Sequence, residues 1–358
     1  MNKEIPDLDP SFFIGKNSPE IITFGAGQPD LPPPQQVNEV KSCPADSRYG
    51  LVQGDEELRT ELSKQYPRSF PDSFVITNGA SEALHLTLRA LALRLDTKKK
   101  VMLPKPFYYS YPELAEISGL EVVYTDLKEG RIDYDDLEKK IKDCCAVIIN
   151  SPSNPTGRVE SISTLKKIEK LTTDLGIHVI SDEVYKDLIY ERENYLIEGP
   201  KVVTVNSFSK TYSMCGDRVG YLWSRDTDLV KEIVAMKTHT SMNTSLLSQK
   251  RAIEALKVPR EYIEEQTKIW KQRRDLIYEG LKEIGLDLWK PEGAFYVLPK
   301  FPNPKKAVWE LFTEHKVIVY DGSWFGAPGR IRLSYALDTD KIQKGLKIIG
   351  DYYKKVLR

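Results

Sequence analysis

Short apolar runs alternate with helical patterns through the middle of the chain. Leucines at positions 84, 88, 91 and 95 recur at spacings of four, three and four, so one face of that helix is apolar. Such an alternation predicts an α/β domain with a mostly parallel sheet, against which the helix packs. The candidate strands are Val101–Leu103, Ala146–Ile149, Val179–Ile180 and Val202–Val205.

The pattern changes beyond about residue 258. There Ile263, Trp270, Ile277 and Leu281 mark a long amphipathic helix with many charged positions. Further strand-like runs and a closing amphipathic helix follow, so we expect a second, smaller α+β domain. We place the large domain at residues 43–257 and the N-terminal arm and small domain at 1–42 and 258–358. The later elements are Ala294–Leu298, Ile331–Leu333 and a helix with Ile342, Leu346 and Ile349 facing inward, and Leu31–Pro34 forms a stiff, extended arm.

Composition narrows the class of protein. A chain of 358 residues with 41% apolar content can bury a large core, and its 52 basic and 52 acidic side chains cancel. This balance argues against a dedicated nucleic-acid or membrane-surface binder. No run approaches the roughly 20 apolar residues of a membrane span, and the first residues lack a secretory core, so we expect a cytoplasmic protein. We expect no metal site, and we expect unlinked thiols because CxxC spacing is lacking among Cys43, Cys144, Cys145 and Cys215.

Candidate chemistry lies at the ends of the predicted strands. Lys210 follows one strand, Asp182 ends a second with Tyr185 just beyond it, and Asn154 follows a third. Open α/β sheets bind ligands at this carboxyl edge. Each residue alone also has a structural explanation, namely a surface lysine, a helix cap or a tight turn.

A phosphate site is suggested by the small residues of Asn78–Glu82, which open the leucine-rich helix. The free backbone N–H groups and the dipole of a helix N-terminus can receive a phosphate. Arg218, eight residues after Lys210, can add a bidentate charge. A plain helix cap is the alternative explanation.

Taken together, these segments resemble the fold-type I aminotransferases, in particular the class I/II group of aspartate, aromatic and kynurenine aminotransferases. The resemblance covers nearly the whole chain and keeps the family's motif order. It implies a large domain with a mostly parallel seven-stranded sheet between helices, plus a smaller α+β domain. The matching segments are Gly27–Asp30, Tyr49 with Gly54 and Leu58–Arg59, Ser207–Tyr221, Pro291–Tyr296 and Arg332–Tyr335.

The resemblance implies pyridoxal 5′-phosphate as cofactor. Lys210 would hold it as an aldimine and then move the proton between Cα and the cofactor. Asp182 would pair with the pyridinium nitrogen, and Asn154 and Tyr185 would hydrogen-bond the ring oxygen. Tyr108 would stack on the ring, with a place in the core as the alternative. The phosphate would meet Gly79, Ala80, Ser81, Ser207, Arg218 and, from a second subunit, Tyr49.

The resemblance also assigns the substrate site. Arg332 would grip the α-carboxylate, with Asn154 and the Gly27 backbone nearby. Arg330 lies two residues away and would share the strand face, so the motif, and not the chemistry alone, favours Arg332. Because Tyr49 would cross between subunits, we expect a homodimer with shared active sites; a simple turn around Tyr49 is the alternative.

The preferred reaction moves the amino group of an L-amino acid to a 2-oxo acid such as 2-oxoglutarate. The sequence does not decide whether the amino donor is aspartate, an aromatic amino acid or one of a broad range of amino acids. Ser81 stands where some aspartate-specific relatives carry a lysine, which weakens a strict aspartate reading. A cofactor-dependent lyase is the main alternative, because the fold does not fix which bond to Cα breaks. A non-catalytic sensor is less favoured, because the family match starts by about residue 22 and leaves no room before it for a DNA-binding segment.

Overall fold

The computed structural model describes residues 5–16, 18–42, 47–94 and 99–357. The strands of the described residues are β1 (Ile22–Thr23), β2 (Phe74–Thr77), β3 (Lys100–Lys105), β4 (Glu121–Lys128), β5 (Arg131–Ile132), β6 (Ala146–Asn150), β7 (His178–Asp182), β8 (Val202–Ser207), β9 (Gly220–Ser224), β10 (Tyr296–Val297), β11 (Val317–Ile318), β12 (Tyr320–Asp321) and β13 (Ile331–Ser334). The α-helices are α1 (Gln35–Glu39), α2 (Glu56–Ser63), α3 (Ala80–Arg94), α4 (Ser110–Ile117), α5 (Tyr134–Lys140), α6 (Ile162–Leu175), α7 (Phe208–Thr211), α8 (Thr227–His239), α9 (Leu246–Leu256), α10 (Arg260–Ile284), α11 (Pro304–His315) and α12 (Thr339–Val356). Short 3-10 helices cover Pro10–Phe13, Pro71–Ser73, Ile141–Asp143, Cys215–Asp217 and Gly322–Phe325.

The large sheet confirms the predicted α/β architecture. Its strand order is β2-β9-β8-β7-β6-β3-β4-β5. Strands β8, β7, β6, β3 and β4 pair in parallel, whereas β9 runs antiparallel to both of its neighbours, β8 and β2. The sheet has one strand more than the seven predicted. This additional strand is the two-residue β5, which pairs antiparallel with β4 at the sheet edge. The four apolar runs recognised in the sequence lie within β3, β6, β7 and β8.

The strand register brings polar strand ends together. Asn150, the last residue of β6, pairs with Asp182, the last residue of β7, and Asp182 pairs with Val205 of β8. Because these strands are parallel, their carboxyl ends meet at one edge of the sheet. The side chains that follow them therefore face a common space.

Helix α3 packs on the large sheet through its leucine face. Leu84, Leu88 and Leu91 are buried in one cluster with strand residues such as Val203 and Leu222. Each buried leucine contributes about 1.5–3 kcal/mol of hydrophobic stabilisation. The fourth leucine of the pattern, Leu95, lies outside the described residues. This packing fixes where the N-terminus of α3 points.

A second cluster forms around α10, α12 and the three-stranded sheet β10-β13-β12. Trp270 and Ile277 of α10 are buried there against Ile342 and Ile349 of α12, as the amphipathic patterns predicted. The strand predicted at Ala294–Leu298 is shorter, because only Tyr296–Val297 pairs with β13. The division of the chain into domains at residues 43 and 258 stays a prediction.

The arm before α1 lies against α10. Asp30 accepts from Arg273 at 2.5 Å, and Tyr262 donates to the Pro32 carbonyl oxygen at 3.2 Å. The extended segment around residues 30–32 is therefore held against the long helix.

Two further features follow from the described part of the chain. None of its helices is long and apolar enough to cross a membrane. No disulfide joins Cys144, Cys145 or Cys215 within it. Cys43 lies outside the described residues.

Candidate active site

A cavity of about 310 Å³ lies at the carboxyl ends of β6, β7 and β8. It gathers most of the residues singled out in the sequence, while Gly79 and Tyr49 do not line it. The predicted residues on its wall are Gly27, Ala80, Ser81, Tyr108, Asn154, Asp182, Tyr185, Ser207, Lys210, Arg218 and Arg332.

Lys210 projects into the cavity from the one-turn helix α7, which follows β8. The Ser207 side chain caps this helix by accepting from the Ser209 backbone N–H at 3.1 Å. The Lys210 Nζ donates to the Gly27 carbonyl oxygen at 2.5 Å and lies 5.9 Å from the centre of the Phe295 ring. A primary amine is thus held between the large sheet and the N-terminal segment.

Asp182 is a buried carboxylate at the end of β7. Its Oδ2 accepts from the Tyr111 hydroxyl at 2.6 Å, and its Oδ1 accepts from the Val184 N–H at 3.3 Å. Burial raises its pKa to about 6, and the Tyr111 hydrogen bond opposes that rise. Burying an acid without a cation in direct contact is costly, which makes this carboxylate suited to a positively charged ligand. Sequence analysis missed this contact between Tyr111 and Asp182.

The loop after β6 is held by Asn150. Its Oδ1 accepts from the Asn154 N–H at 2.8 Å, and its Nδ2 donates to the Asp182 carbonyl oxygen at 3.0 Å. Asn154 is buried and turns its amide toward the cavity wall. Asn150 therefore fixes two cavity residues together, a role that sequence analysis missed.

The turn before α3 forms a cradle with Arg218. Gly79 has a φ of +78°, and a Cβ there would lie 2.5 Å from Arg218 Nη2. Only glycine combines this backbone conformation with so close an approach. The first N–H groups of α3, at Ala80 and Ser81, have no acceptor within the helix. The cradle thus presents backbone donors, a helix dipole and a guanidinium to an anion.

Arg332 of β13 is 2% exposed and surrounded by aromatic rings. Its guanidinium donates to the Gly25 carbonyl oxygen and, at 3.2 Å, to Asn154 Oδ1, while the buried Nε has no partner among the described residues. Its Cζ lies 4.4–4.8 Å from three ring centres. Such an arginine is positioned to receive a carboxylate. The three rings belong to Tyr296, Tyr320 and Phe325.

Arg330, two residues before Arg332, does not share this environment, and the common strand face stays a prediction. It lies before β13, where it forms an isolated bridge with Lys300. Its side chain stacks at 4.1 Å on Trp289 and donates to the Leu298 carbonyl oxygen at 2.8 Å. It does not line the cavity.

Tyr185 and Tyr296 face each other with hydroxyl oxygens 2.7 Å apart. Burial raises the pKa of Tyr185, and the neighbouring Tyr296 adds to the rise. A Cβ on Gly27 would overlap the Tyr296 hydroxyl, so glycine is required for the close approach. Sequence analysis quoted Tyr296 as the end of a motif and assigned it no role.

Tyr49 lies apart from its own chain's cavity. Its side chain is 81% exposed. The neighbouring Gly50 packs closely against Leu246 at the start of α9. Tyr49 is therefore not part of the cavity formed by its own chain.

The comparisons with known proteins agree with this geometry. Residues 19–349 match the family model for aminotransferase class I and II. The chain is 33% identical to a probable aspartate aminotransferase of Methanocaldococcus jannaschii, with 94% of each chain covered. A solved aspartate aminotransferase of Thermotoga maritima is similar with a TM-score of 0.88 and 31% identity, covering 96% of this chain and 95% of that one. A solved aromatic aminotransferase of Pyrococcus horikoshii is similar with a TM-score of 0.88 and 30% identity, covering 97% of this chain and 99% of that one.

Proposed function

Because the chain belongs to the class I and II aminotransferases, we propose that its cavity holds pyridoxal phosphate on Lys210 and a substrate α-carboxylate on Arg332. As a member of this family, the protein is a pyridoxal-phosphate-dependent enzyme that moves the amino group of an L-amino acid to a 2-oxo acid. The residue roles, the donor range and the assembly below are our proposals.

One observation carries the proposal: an amine, a buried acid and a buried arginine line a single cavity. These groups are Lys210, Asp182 and Arg332. The cofactor needs a lysine for its aldehyde, an anion for its ring nitrogen and donors for its phosphate. The cavity offers Lys210, Asp182 and the cradle of Gly79 and Arg218 for these three needs, so the residues present fit the group.

The reactive residues have different roles toward the cofactor. Pyridoxal phosphate, when bound, supplies an aldehyde that condenses with amines and a ring that withdraws electrons from Cα. The Lys210 amine would hold the aldehyde and, once displaced by the substrate amine, would accept the proton released from the substrate Cα. Asp182 keeps a proton on the ring nitrogen. Tyr111 holds the Asp182 carboxylate in place for this task.

The remaining donors orient the cofactor. Asn154 and Tyr185 hydrogen-bond the ring oxygen, and Tyr108, which lines the same cavity, stacks on the ring. The phosphate binds the N–H groups at the start of α3, the Ser207 hydroxyl and Arg218, which together supply dipole, neutral donor and charge.

Arg332 fixes the substrate by its α-carboxylate, with the Gly27 backbone and Asn154 beside it. Other parts of the wall, at Ile14, Tyr109 and Tyr320, are apolar or phenolic, and its further polar side chains, such as Gln28, Asn150 and Ser209, are neutral. Among the described residues of the cavity wall, Lys210, Arg218 and Arg332 carry the positive charges, so no further cation of this chain is placed for a distal carboxylate. We therefore favour an aromatic or broad donor range over strict aspartate specificity.

The proposed assembly is a homodimer with shared active sites. Tyr49 is exposed in the single chain and would reach the cofactor phosphate of the partner subunit. A phenol adds a hydrogen-bond donor to a phosphate without adding charge.

A panel of amino donors assayed with 2-oxoglutarate tests the function. We expect glutamate to accumulate in proportion to donor consumed, and tyrosine or phenylalanine to give a higher kcat/KM than aspartate. Release of ammonia with no amino group passed on would instead identify a lyase. A strong preference for aspartate would contradict the donor range while leaving the transaminase in place.

A further inference from the structure

A buried ion pair lies behind the turn that begins α3. Lys237 of α8 is fully buried, and its Nζ lies 3.1 Å from Glu82 Oε2. The same Nζ donates to Ser241 Oγ at 2.7 Å. Neither charge lines the cavity, and the mechanism above uses neither.

Glu82 connects this lysine to the cradle. It stands in the first turn of α3, and its Oε2 accepts from the Asn78 backbone N–H at 2.6 Å and from Asn78 Nδ2 at 3.1 Å. Asn78 immediately precedes Gly79, and its carbonyl oxygen accepts from Arg218 Nη2 at 3.4 Å. Glu82 therefore holds the chain segment whose N–H groups face the cavity.

The charges create a specific electrostatic problem. A phosphate dianion at the start of α3 would share one helical turn with the Glu82 carboxylate, and like charges at such range repel. Lys237, which does not line the cavity, neutralises that carboxylate. Burial lowers the pKa of the Lys237 ammonium, and its contacts with Glu82 oppose that shift. A buried lysine is costly unless it is paired, so its place behind this turn calls for a role.

We propose that Lys237 is a positioning residue for the cofactor phosphate: it cancels the charge of Glu82, a carboxylate that holds the turn at Asn78 and would otherwise repel the phosphate. The inference rests on the proposed function, because it requires the phosphate to bind at this turn. It assigns Lys237 no contact with the cofactor or the substrate.

Charge and structure can be separated with opposite substitutions. Lys237→Met leaves an unpaired carboxylate beside the phosphate, whereas Glu82→Gln leaves an unpaired ammonium and keeps an acceptor for the Asn78 N–H. We expect the dissociation constant of pyridoxal phosphate from the apoenzyme to rise about tenfold or more in Lys237→Met. The dissociation constant should stay constant or fall in Glu82→Gln. In the double variant it should be close to the wild-type value.

Two controls make the measurement specific to the phosphate. Pyridoxal lacks the phosphate, so its dissociation constant should change little in each variant. Lys250→Met removes a lysine that is paired elsewhere, with Asp55 and Glu57. This variant should leave the dissociation constants of both pyridoxal phosphate and pyridoxal unchanged. Thermal unfolding of each apoenzyme reports any general loss of stability.

Several results would overturn the inference. Unchanged affinity in Lys237→Met would do so, and so would weaker binding in Glu82→Gln, because a purely structural pair fails from either side. If Lys237→Met does not fold, the double variant and Glu82→Gln test the inference instead. Both must bind pyridoxal phosphate at least as tightly as the wild type, and weaker binding in either one contradicts the inference. A wild-type apoenzyme that binds neither pyridoxal phosphate nor pyridoxal would instead reject the proposed function itself.

Discussion

Arg332 donates a hydrogen bond to the Asn154 side chain at 3.2 Å and so joins β13 to the loop that follows β6. The contact links a residue proposed to bind substrate with one proposed to bind the cofactor ring. It also fixes the plane of the guanidinium, because two of its nitrogens are already engaged and three rings surround it. A carboxylate that arrives therefore meets a fork of defined orientation.

Replacement of this arginine tests the substrate site. Arg332→Lys keeps a charge but loses the planar fork, so we expect KM for the amino donor to rise about ten- to a hundredfold. The matched control is Arg330→Lys, which should leave KM nearly unchanged because Arg330 stacks on Trp289 outside the cavity. Steady-state kinetics measure both. An unchanged KM in Arg332→Lys together with a strongly raised KM in Arg330→Lys would assign the carboxylate to Arg330 instead.

Lys210→Ala tests the covalent attachment and the proton transfer together. We expect the variant to bind pyridoxal phosphate without a covalent bond and to lose turnover by about three orders of magnitude. Borohydride reduction followed by peptide mapping should label Lys210 in the wild type and nothing in the variant. The exposed Lys201→Ala serves as control. Substantial residual transamination in Lys210→Ala would sink the assignment.

The burial of Asp182 predicts a pH dependence of apoenzyme stability. Its folded pKa of about 6 lies above its usual value of 3.8, so the folded state retains the proton more strongly. The stability of the wild type relative to Asp182→Asn should therefore fall by about 2 kcal/mol between about pH 4.5 and about pH 7.5. Urea unfolding of the two apoenzymes measures the difference. A constant difference over this range would show that Asp182 titrates normally.

The contact between Tyr185 and Tyr296 predicts a spectroscopic effect. If Tyr296 donates to Tyr185, then Tyr296→Phe weakens the hydrogen bond from Tyr185 to the cofactor ring oxygen. We expect the pH midpoint of the bound cofactor's visible absorbance to rise by about half a unit or more. Tyr320→Phe is the control, because its hydroxyl contacts only the Pro10 carbonyl oxygen in the described chain, at 3.4 Å. A downward shift in Tyr296→Phe would show that Tyr185 is the donor.

Mixing two inactive chains tests the shared site. If Tyr49 serves the partner subunit, a Tyr49→Phe chain combined with a Lys210→Ala chain forms heterodimers with one intact site. Activity should then exceed that of either unmixed variant, as measured after joint refolding. If Tyr49 serves its own subunit, every site carries one lesion and mixing gives no gain. An active monomer in sedimentation would reject the shared site without any variant.

Periodic patterns predicted the main elements because burial on a sheet or helix face leaves a local signature. Strands β3, β6, β7 and β8 and the leucine face of α3 were recognisable in this way. Strand order and register then placed Lys210 and Asp182 at one edge, as the rule for parallel sheets requires. The roles within that edge came from motif resemblance, and the assignment of each role stays a prediction.

Contacts between distant side chains left no such signature. Tyr111 and Asp182 are 71 positions apart, Tyr185 and Tyr296 are 111 apart, and Glu82 and Lys237 are 155 apart. Nothing in the local sequence relates the members of each pair. Strand alternation also gave no sign that the Arg330 side chain stacks on Trp289 and lies outside the cavity. Tertiary packing decided these positions.

The enclosure of Arg332 has a consequence for the response of the enzyme to salt. Because the guanidinium is 2% exposed and covered by three rings, folding has already removed most of its hydration. Mobile ions are excluded from such a site, and buried charges are screened far less than exposed ones. Affinity for a monocarboxylate inhibitor should therefore depend only weakly on ionic strength. The arginine was dehydrated during folding, so ligand binding adds little further desolvation of the guanidinium, and the remaining cost falls on the carboxylate.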